Sequence, residues 1–82
     1  MRFANLNVLV TGATGGIGRA ICHAYARQGA RVMAADLPDT PTQALVRELG
    51  DNAAACVLDV TQEDGWIAAM DLMEQAFGGV DI

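Results

Sequence analysis

The chain has 82 residues, is 52% hydrophobic and 18% charged, and carries a formal net charge of −5. That length holds at most one small domain, and the apolar content excludes a disordered chain. The five basic residues are all arginines, scattered at Arg2, Arg19, Arg27, Arg31 and Arg47, so they assemble no basic face for nucleic acid.

Asn7-Val8-Leu9-Val10 is a short apolar run ending at Thr11-Gly12, the pattern of a buried strand followed by a turn. From Gly16 to Gln28 the apolar positions Ile17, Ala20, Ile21 and Ala24 recur at helical spacing, and Gly29 stands where a helix stop belongs. Arg31 to Asp36 is a second strand, closed by Leu37-Pro38-Asp39. Thr40-Pro41-Thr42-Gln43 then predicts a helix start, with Thr40 as N-cap, Pro41 in the first turn and Gln43 completing a capping box. That helix is expected to turn Ala44, Leu45 and Leu49 inward and to stop at Gly50. Ala53 to Leu58 is a third apolar run, ending at Asp59. Thr61 and Asp64 make a weaker capping arrangement for a helix whose stripe is Trp66, Met70, Met73 and Phe77, and Gly78-Gly79 terminates it. Val80-Asp81-Ile82 begins a fourth strand.

Alternating strands and helices with near-continuously apolar strands predict an α/β fold: a parallel sheet covered on both faces, the mononucleotide-binding half of a Rossmann-type three-layer α/β/α domain. The sheet would have three strands plus the start of a fourth.

No apolar run reaches the ~18–20 residues of a membrane span, and the N-terminus lacks the pattern of a secretory signal. Cys22 and Cys56 have neither metal-type spacing nor a disulfide-rich context, which reads as reduced thiols of a cytoplasmic protein, with no metal site. His23 lies across its helix from Ile17 and Ile21, a solvated position, and Tyr25 is a packing residue. Lysine and serine are absent, so this chain itself supplies no chemistry that needs them.

The run Thr11-Gly12-Ala13-Thr14-Gly15-Gly16-Ile17-Gly18 between first strand and first helix suits a phosphate-binding turn. Gly12 takes the tight turn, Gly16 lets backbone approach a diphosphate, and Gly18 lets the helix pack closely on the strand. The free N–H groups and the dipole of the helix start then face the anion. In a plain turn so many glycines only cost stability, roughly 0.5–1 kcal/mol for each one in a helix or strand. The run departs from G-x-G-x-x-G, because Ile21 stands at the third glycine, and from a Walker A loop, because the lysine is missing.

Thr11-Gly12-x-x-x-Gly16-Ile17-Gly18 resembles the glycine motif of the short-chain dehydrogenase/reductase family in its classical form. Asp36 closing the second strand, Asp59-Val60 closing the third, and Gly79-Val80-Asp81-Ile82 opening the fourth agree with it in order and spacing. The resemblance spans essentially the whole chain. Gly12, Gly15 and Gly18 also fit the T-G-x-x-G-x-x-G spacing of the family's extended branch, which includes nucleotide-sugar epimerases and dehydratases. That branch usually has an aromatic residue where Gly16 stands, and Asp59-Val60 is more typical of the classical one. A non-catalytic dinucleotide-binding module is a third reading.

Asp36, eighteen residues after Gly18, falls at the carboxyl end of its strand, beside the phosphate turn. A carboxylate there can accept from both hydroxyls of an adenosine ribose, each bond contributing about 1.5–3 kcal/mol. A 2′-phosphate at ~4 Å would meet a penalty near 4 kcal/mol at an effective dielectric of about 20, roughly a thousandfold preference. Gly15 and Leu37 occupy positions where phosphate-binding relatives often carry a basic side chain, and Arg19 lies past the turn, toward solvent. The cofactor expectation is therefore NAD(H) over NADP(H), although Asp36 can also be an ordinary turn carboxylate.

The resemblance implies that Gly12, Thr14, Gly15, Gly16, Ile17, Gly18, Asp36, Leu37, Asp59 and Val60 hold the cofactor. Asp59 would accept from the adenine amino group, the Val60 backbone would meet a ring nitrogen, and Leu37 would line the adenine face. Asp59 alone can equally be a turn residue before Thr61. The family moves a hydride between nicotinamide and a small carbonyl or secondary alcohol substrate, using a tyrosine–lysine pair and a serine. None of these matches a position in this chain, so residues 1–82 are expected to be the cofactor-binding front of one domain and inactive alone. The whole protein is expected to be a homo-oligomer. With three fourth-strand residues, one edge of the first strand is expected to be bare, and the piece to be marginally stable, to aggregate or to pair edge to edge.

Overall fold

A computed structural model describes residues 3–82; Arg2 lies outside the described residues. The elements run β1 (Asn7–Thr11), α1 (Gly16–Arg27), β2 (Arg31–Asp36), α2 (Thr42–Leu49), β3 (Ala53–Val57) and α3 (Glu63–Phe77). All three strands are parallel, in the order β1-β2-β3, with Val8 opposite Val32 and Ala34 opposite Ala55. The third strand is one residue shorter than expected, although the Leu58 N–H still donates to the Asp36 carbonyl at 2.8 Å.

Strand alternation splits the core between two faces. Val8, Val10, Val32 and Ala34 point toward α1 and α2, where they meet Cys22 and Leu45, with Tyr25, Ala26, Val46 and Leu49 around them. Met33, Ala35 and Cys56 point the other way, onto Ala69 and Met73, with Leu9 and Phe77 alongside. β2 is thus buried on both sides, which is why its sequence is continuously apolar rather than alternating. Tyr25 packs as expected, its ring 5.2 Å from that of Phe3.

The helices depart from the expected faces. The stripe of Ile17, Ala20, Ile21 and Ala24 points outward, with Ile17 81% exposed, and α1 instead meets the sheet through Cys22, Tyr25 and Ala26. Contact at Gly18 sets the rotation, and residues four, seven and eight further on follow it inward. His23 and Arg19 stay at the surface, their side chains 32% and 52% exposed, and both meet Glu48 of α2 there: His23 Nε2 lies 3.1 Å from its Oε1, and Arg19 pairs with the same oxygen.

α2 begins at Thr42, without the capping box. The Thr40 hydroxyl donates to the Leu37 carbonyl at 2.7 Å, closing the turn after β2 instead of capping the helix. Ala44 is exposed, and Leu45, Val46 and Leu49 form the packed side. In α3 the Thr61–Asp64 cap is likewise absent, because Thr61 binds back to Asp59. Only Met73 of the expected stripe is buried; Ala69 joins it, Phe77 is half-buried, and Trp66 and Met70 sit at the margin.

After α3 the chain runs along the outer edge of β1. Asp81 N–H donates to the Asn7 carbonyl at 2.8 Å, and Leu9 N–H donates to Ile82 at 2.8 Å. Residues 80–82 therefore engage the start of that edge, which is not wholly bare as expected. Buried Asn7 fixes the junction: its backbone N–H donates to Asp81 Oδ2, its side-chain amide donates to the Phe77 carbonyl, and its Oδ1 accepts from Arg31 Nε at 2.6 Å.

Candidate functional site

Parallel strands bring their carboxyl ends to one edge of the sheet. There Gly12, Asp36, Leu37, Leu58, Asp59, Val60 and Thr61 line a crevice of about 310 Å³. Its walls are mostly apolar, from Leu37, Leu58 and Val60, with two carboxylates at its rim.

The glycine turn forms one end. Gly12 adopts φ +63°, a left-handed conformation that an L side chain resists. The Ala13 N–H then donates to the Ala35 carbonyl at 3.1 Å, tying the turn to β2. A Cβ on Gly18 would lie 2.1 Å from the Gly12 carbonyl oxygen, so helix and turn touch as the sequence predicts. A Cβ on Gly16 would meet nothing within 4 Å, and one on Gly15 only an ordinary 3.5 Å contact. Gly16 therefore leaves open space that its packing does not require. The first intrahelical bond runs from Arg19 N–H to the Gly15 carbonyl at 2.8 Å, so the N–H groups of Gly16, Ile17 and Gly18 have no partner within the helix. This helix start, with glycine at its first and third positions and orphan donors, suits an anionic group.

Asp36 points at that turn. Its Oδ2 accepts from the Thr14 hydroxyl at 2.6 Å and the Thr14 N–H at 3.0 Å, and its Oδ1 accepts from Leu37 N–H at 2.8 Å. The Thr14 hydroxyl, then the Leu37 and Thr14 amides, hold the carboxyl below its usual range. Asp59 is held low in the same way, by the hydroxyl of Thr61 at 2.6 Å and its N–H at 2.9 Å. Those two bonds fall on Oδ1 and make the local turn that the residue alone had left open. Val60 is tied to α3, its carbonyl accepting the Trp66 indole N–H at 2.9 Å.

Five of the ten expected residues (Gly12, Asp36, Leu37, Asp59 and Val60) line the crevice. Thr14 joins them through Asp36, while Gly15, Gly16, Ile17 and Gly18 form the turn and helix start beside it. Sequence reasoning missed Leu58 and Thr61. Leu58 ends the third apolar run, and a hydroxyl two residues after Asp59 is the mark of an aspartate turn. Among the described residues, no group of three or more His, Cys, Asp or Glu side chains could hold a metal, and no helix is long and apolar enough to cross a membrane.

A glycine turn between β1 and α1, an acid ending β2 and a parallel three-layer arrangement define a dinucleotide-binding class of fold. The family model described as short chain dehydrogenase matches residues 6–82, and the chain belongs to that family. It is 40% identical over 74 residues to 3-hydroxyacyl-CoA dehydrogenase type-2 of Drosophila melanogaster, covering 90% of this chain and 29% of that protein. It is 38% identical over 82 residues to sorbitol dehydrogenase of Cereibacter sphaeroides, covering all of this chain and 32% of that one. A crystal structure of a glucose/ribitol dehydrogenase-type short-chain dehydrogenase/reductase from Brucella melitensis superposes with TM-score 0.92 at 32% identity, covering 99% of this chain and 35% of that one. The chain thus spans about a third of the length of the relatives it matches. The family binds nicotinamide dinucleotides, and the relatives that this chain matches are oxidoreductases.

Proposed function

We propose that this chain is the NAD(H)-binding front of an oxidoreductase that moves a hydride between nicotinamide and a carbonyl or secondary alcohol carbon. The observation that carries this reading is the ionised Asp36 carboxylate, aimed at the glycine turn and held there by Thr14. In this reading the amides of Gly16, Ile17 and Gly18 receive the diphosphate, and Gly12, Gly15 and Gly16 keep side chains out of its way. Asp36 accepts from the ribose, while Leu37, Asp59 and Val60 bound the adenine. When bound, NAD(H) supplies the hydride acceptor or donor; the residues of this chain bind and orient it.

A 2′-phosphate would meet the Asp36 charge, and Arg19, which follows the glycine turn in sequence, is already paired with Glu48. The chain contains no serine or lysine, which supports a purely cofactor-binding role for these residues. Calorimetric titration with NADH and NADPH tests the reading: NADH is expected to bind at least a hundredfold more tightly, and equal or tighter NADPH binding refutes it. The 82-residue chain, given NADH and a panel of carbonyl compounds, is expected to show no turnover above buffer.

A further inference from the structure

The three bonds on Asp36 are unevenly shared. Oδ1 accepts one, from the Leu37 amide, and Oδ2 accepts two, both from Thr14. A carboxylate has about four acceptor positions over its two oxygens, so Thr14 saturates Oδ2 while Oδ1 keeps one position. Two of the three donors are backbone amides, and the turn carrying the Thr14 amide is itself tied to β2 through Ala13. The Thr14 hydroxyl is the one donor that depends on residue type, and it makes the shortest bond. A vicinal diol needs two acceptors in fixed relation. One position on Oδ1 supplies the first, and a hydroxyl that donates to Oδ2 still has lone pairs to offer.

We propose that Thr14 is the positioning residue for sugar recognition, its hydroxyl fixing the Asp36 carboxylate so that the Asp36–Thr14 pair takes an unphosphorylated ribose as one unit. This rests on the NAD(H) reading and deepens it, assigning the discrimination between NADH and NADPH to two residues rather than one. Without the hydroxyl each oxygen keeps one amide bond, and the carboxylate loses its shortest restraint and is held less firmly. It then grips a diol less well and can swing away from a 2′-phosphate.

Thr14→Val keeps the shape and removes the hydroxyl; Thr14→Ser keeps the hydroxyl. In titrations with each cofactor, Thr14→Val is expected to weaken NADH binding roughly fivefold, the size of one lost hydrogen bond, without weakening NADPH. The preference therefore narrows, and Thr14→Ser restores it. In ligand-free protein the Asp36 carboxyl should titrate at higher pH in Thr14→Val than in wild type. In wild-type protein the Thr14 amide proton should shift as Asp36 titrates, a readout that needs no variant to fold. Equal loss for both cofactors, an unchanged ratio, tighter NADH binding by Thr14→Val, or a flat Thr14 amide shift overturns the assignment. If wild type itself prefers NADPH, the NAD(H) reading fails. If it prefers NADH and the ratio ignores Thr14→Val, only the role of Thr14 fails.

Discussion

Gly16 and Gly18 are two residues apart on one helix turn, yet an added methyl should have opposite effects at them. At Gly18 the new Cβ would lie 2.1 Å from the Gly12 carbonyl oxygen, 2.9 Å from its carbon and 3.0 Å from the Ala13 Cα. All three are backbone atoms of a turn bonded to β2, so none can swing aside. Helix and turn must separate by about 1 Å or more to restore contact distance. Overpacking of this kind costs about 1–3 kcal/mol, and the rigid neighbour places Gly18→Ala at the upper end, a fall in Tm of ~10–20 °C for a domain this small. At Gly16 the methyl meets nothing, and replacing glycine in a helix stabilises by about 0.5–1 kcal/mol. Gly16→Ala should therefore melt at or above the wild-type temperature while binding NADH roughly tenfold or more weakly, because the methyl occupies the approach of the diphosphate. Gly15→Ala, with its 3.5 Å contact, should leave folding nearly unchanged. Thermal melts and NADH titrations on the three variants decide the matter. A Gly16→Ala protein that binds NADH like wild type would refute the assignment of the cradle.

Three further outcomes follow from packing and charge. Met73 is fully buried against Met33, Cys56 and Ala69, whereas Met70 is 38% exposed. Denaturant melts should therefore show a loss of about 2–4 kcal/mol for Met73→Ala and under ~1 kcal/mol for Met70→Ala. Burial pushes the Cys22 thiol up to about 11 and raises that of Cys56, so a thiol reagent at neutral pH should label neither until denaturant is added; rapid labelling of folded protein would contradict this. Asp36 has a folded pKa below its unfolded value. Its bonds to Thr14 and Leu37 thus stabilise fully above the unfolded pKa, near 3.9, and are lost as pH falls through the lower folded value. Cofactor affinity should accordingly stay level from neutrality down through the ordinary carboxylate range and fall only below it; a fall beginning near pH 6 would implicate another group.

The strands and the two-sided core were legible because burial on both faces leaves an unbroken apolar run, and β2 fell within the expected bounds of Arg31 and Asp36. The glycine turn was legible because its spacing answers a steric demand that Gly12 and Gly18 meet. The helix faces were harder to read. α1 carries apolar residues on two sides, and a count of periodic positions selects the side with Ile17 and Ile21. The contact at Gly18, invisible to hydropathy, turns Cys22 and Ala26 inward. Both missed caps share one cause. The hydroxyls of Thr40 and Thr61 had acceptors closer than a helix N–H, in the Leu37 carbonyl and the Asp59 carboxylate. Local side-chain bonds of that sort compete with capping on equal terms. Asp36 was placed correctly by strand position, but the hold of Thr14 on it depends on a turn that sequence alone does not orient.

The charge balance adds a consequence for how an anionic cofactor reaches this site. The chain carries −5, two carboxylates with depressed pKa values rim the crevice, and Arg19 is paired with Glu48. Among the described residues, no arginine lines the crevice itself. Attraction for a diphosphate must then come from uncharged donors, the amides at the start of α1, whose aligned dipoles amount to about half a charge and act only within the first turn. Such donors reward contact but do not steer from a distance, whereas the net negative charge repels over a Debye length of about 10 Å at 0.1 M salt. Raising ionic strength should therefore speed NADH association and leave dissociation nearly unchanged, the reverse of a site built on arginines. Stopped-flow binding between about 0.02 and 0.5 M salt reads this directly. An association rate that falls steeply with salt would mean that a cation reaches the diphosphate after all, and Arg19, released from Glu48, would be the first to test by Arg19→Gln.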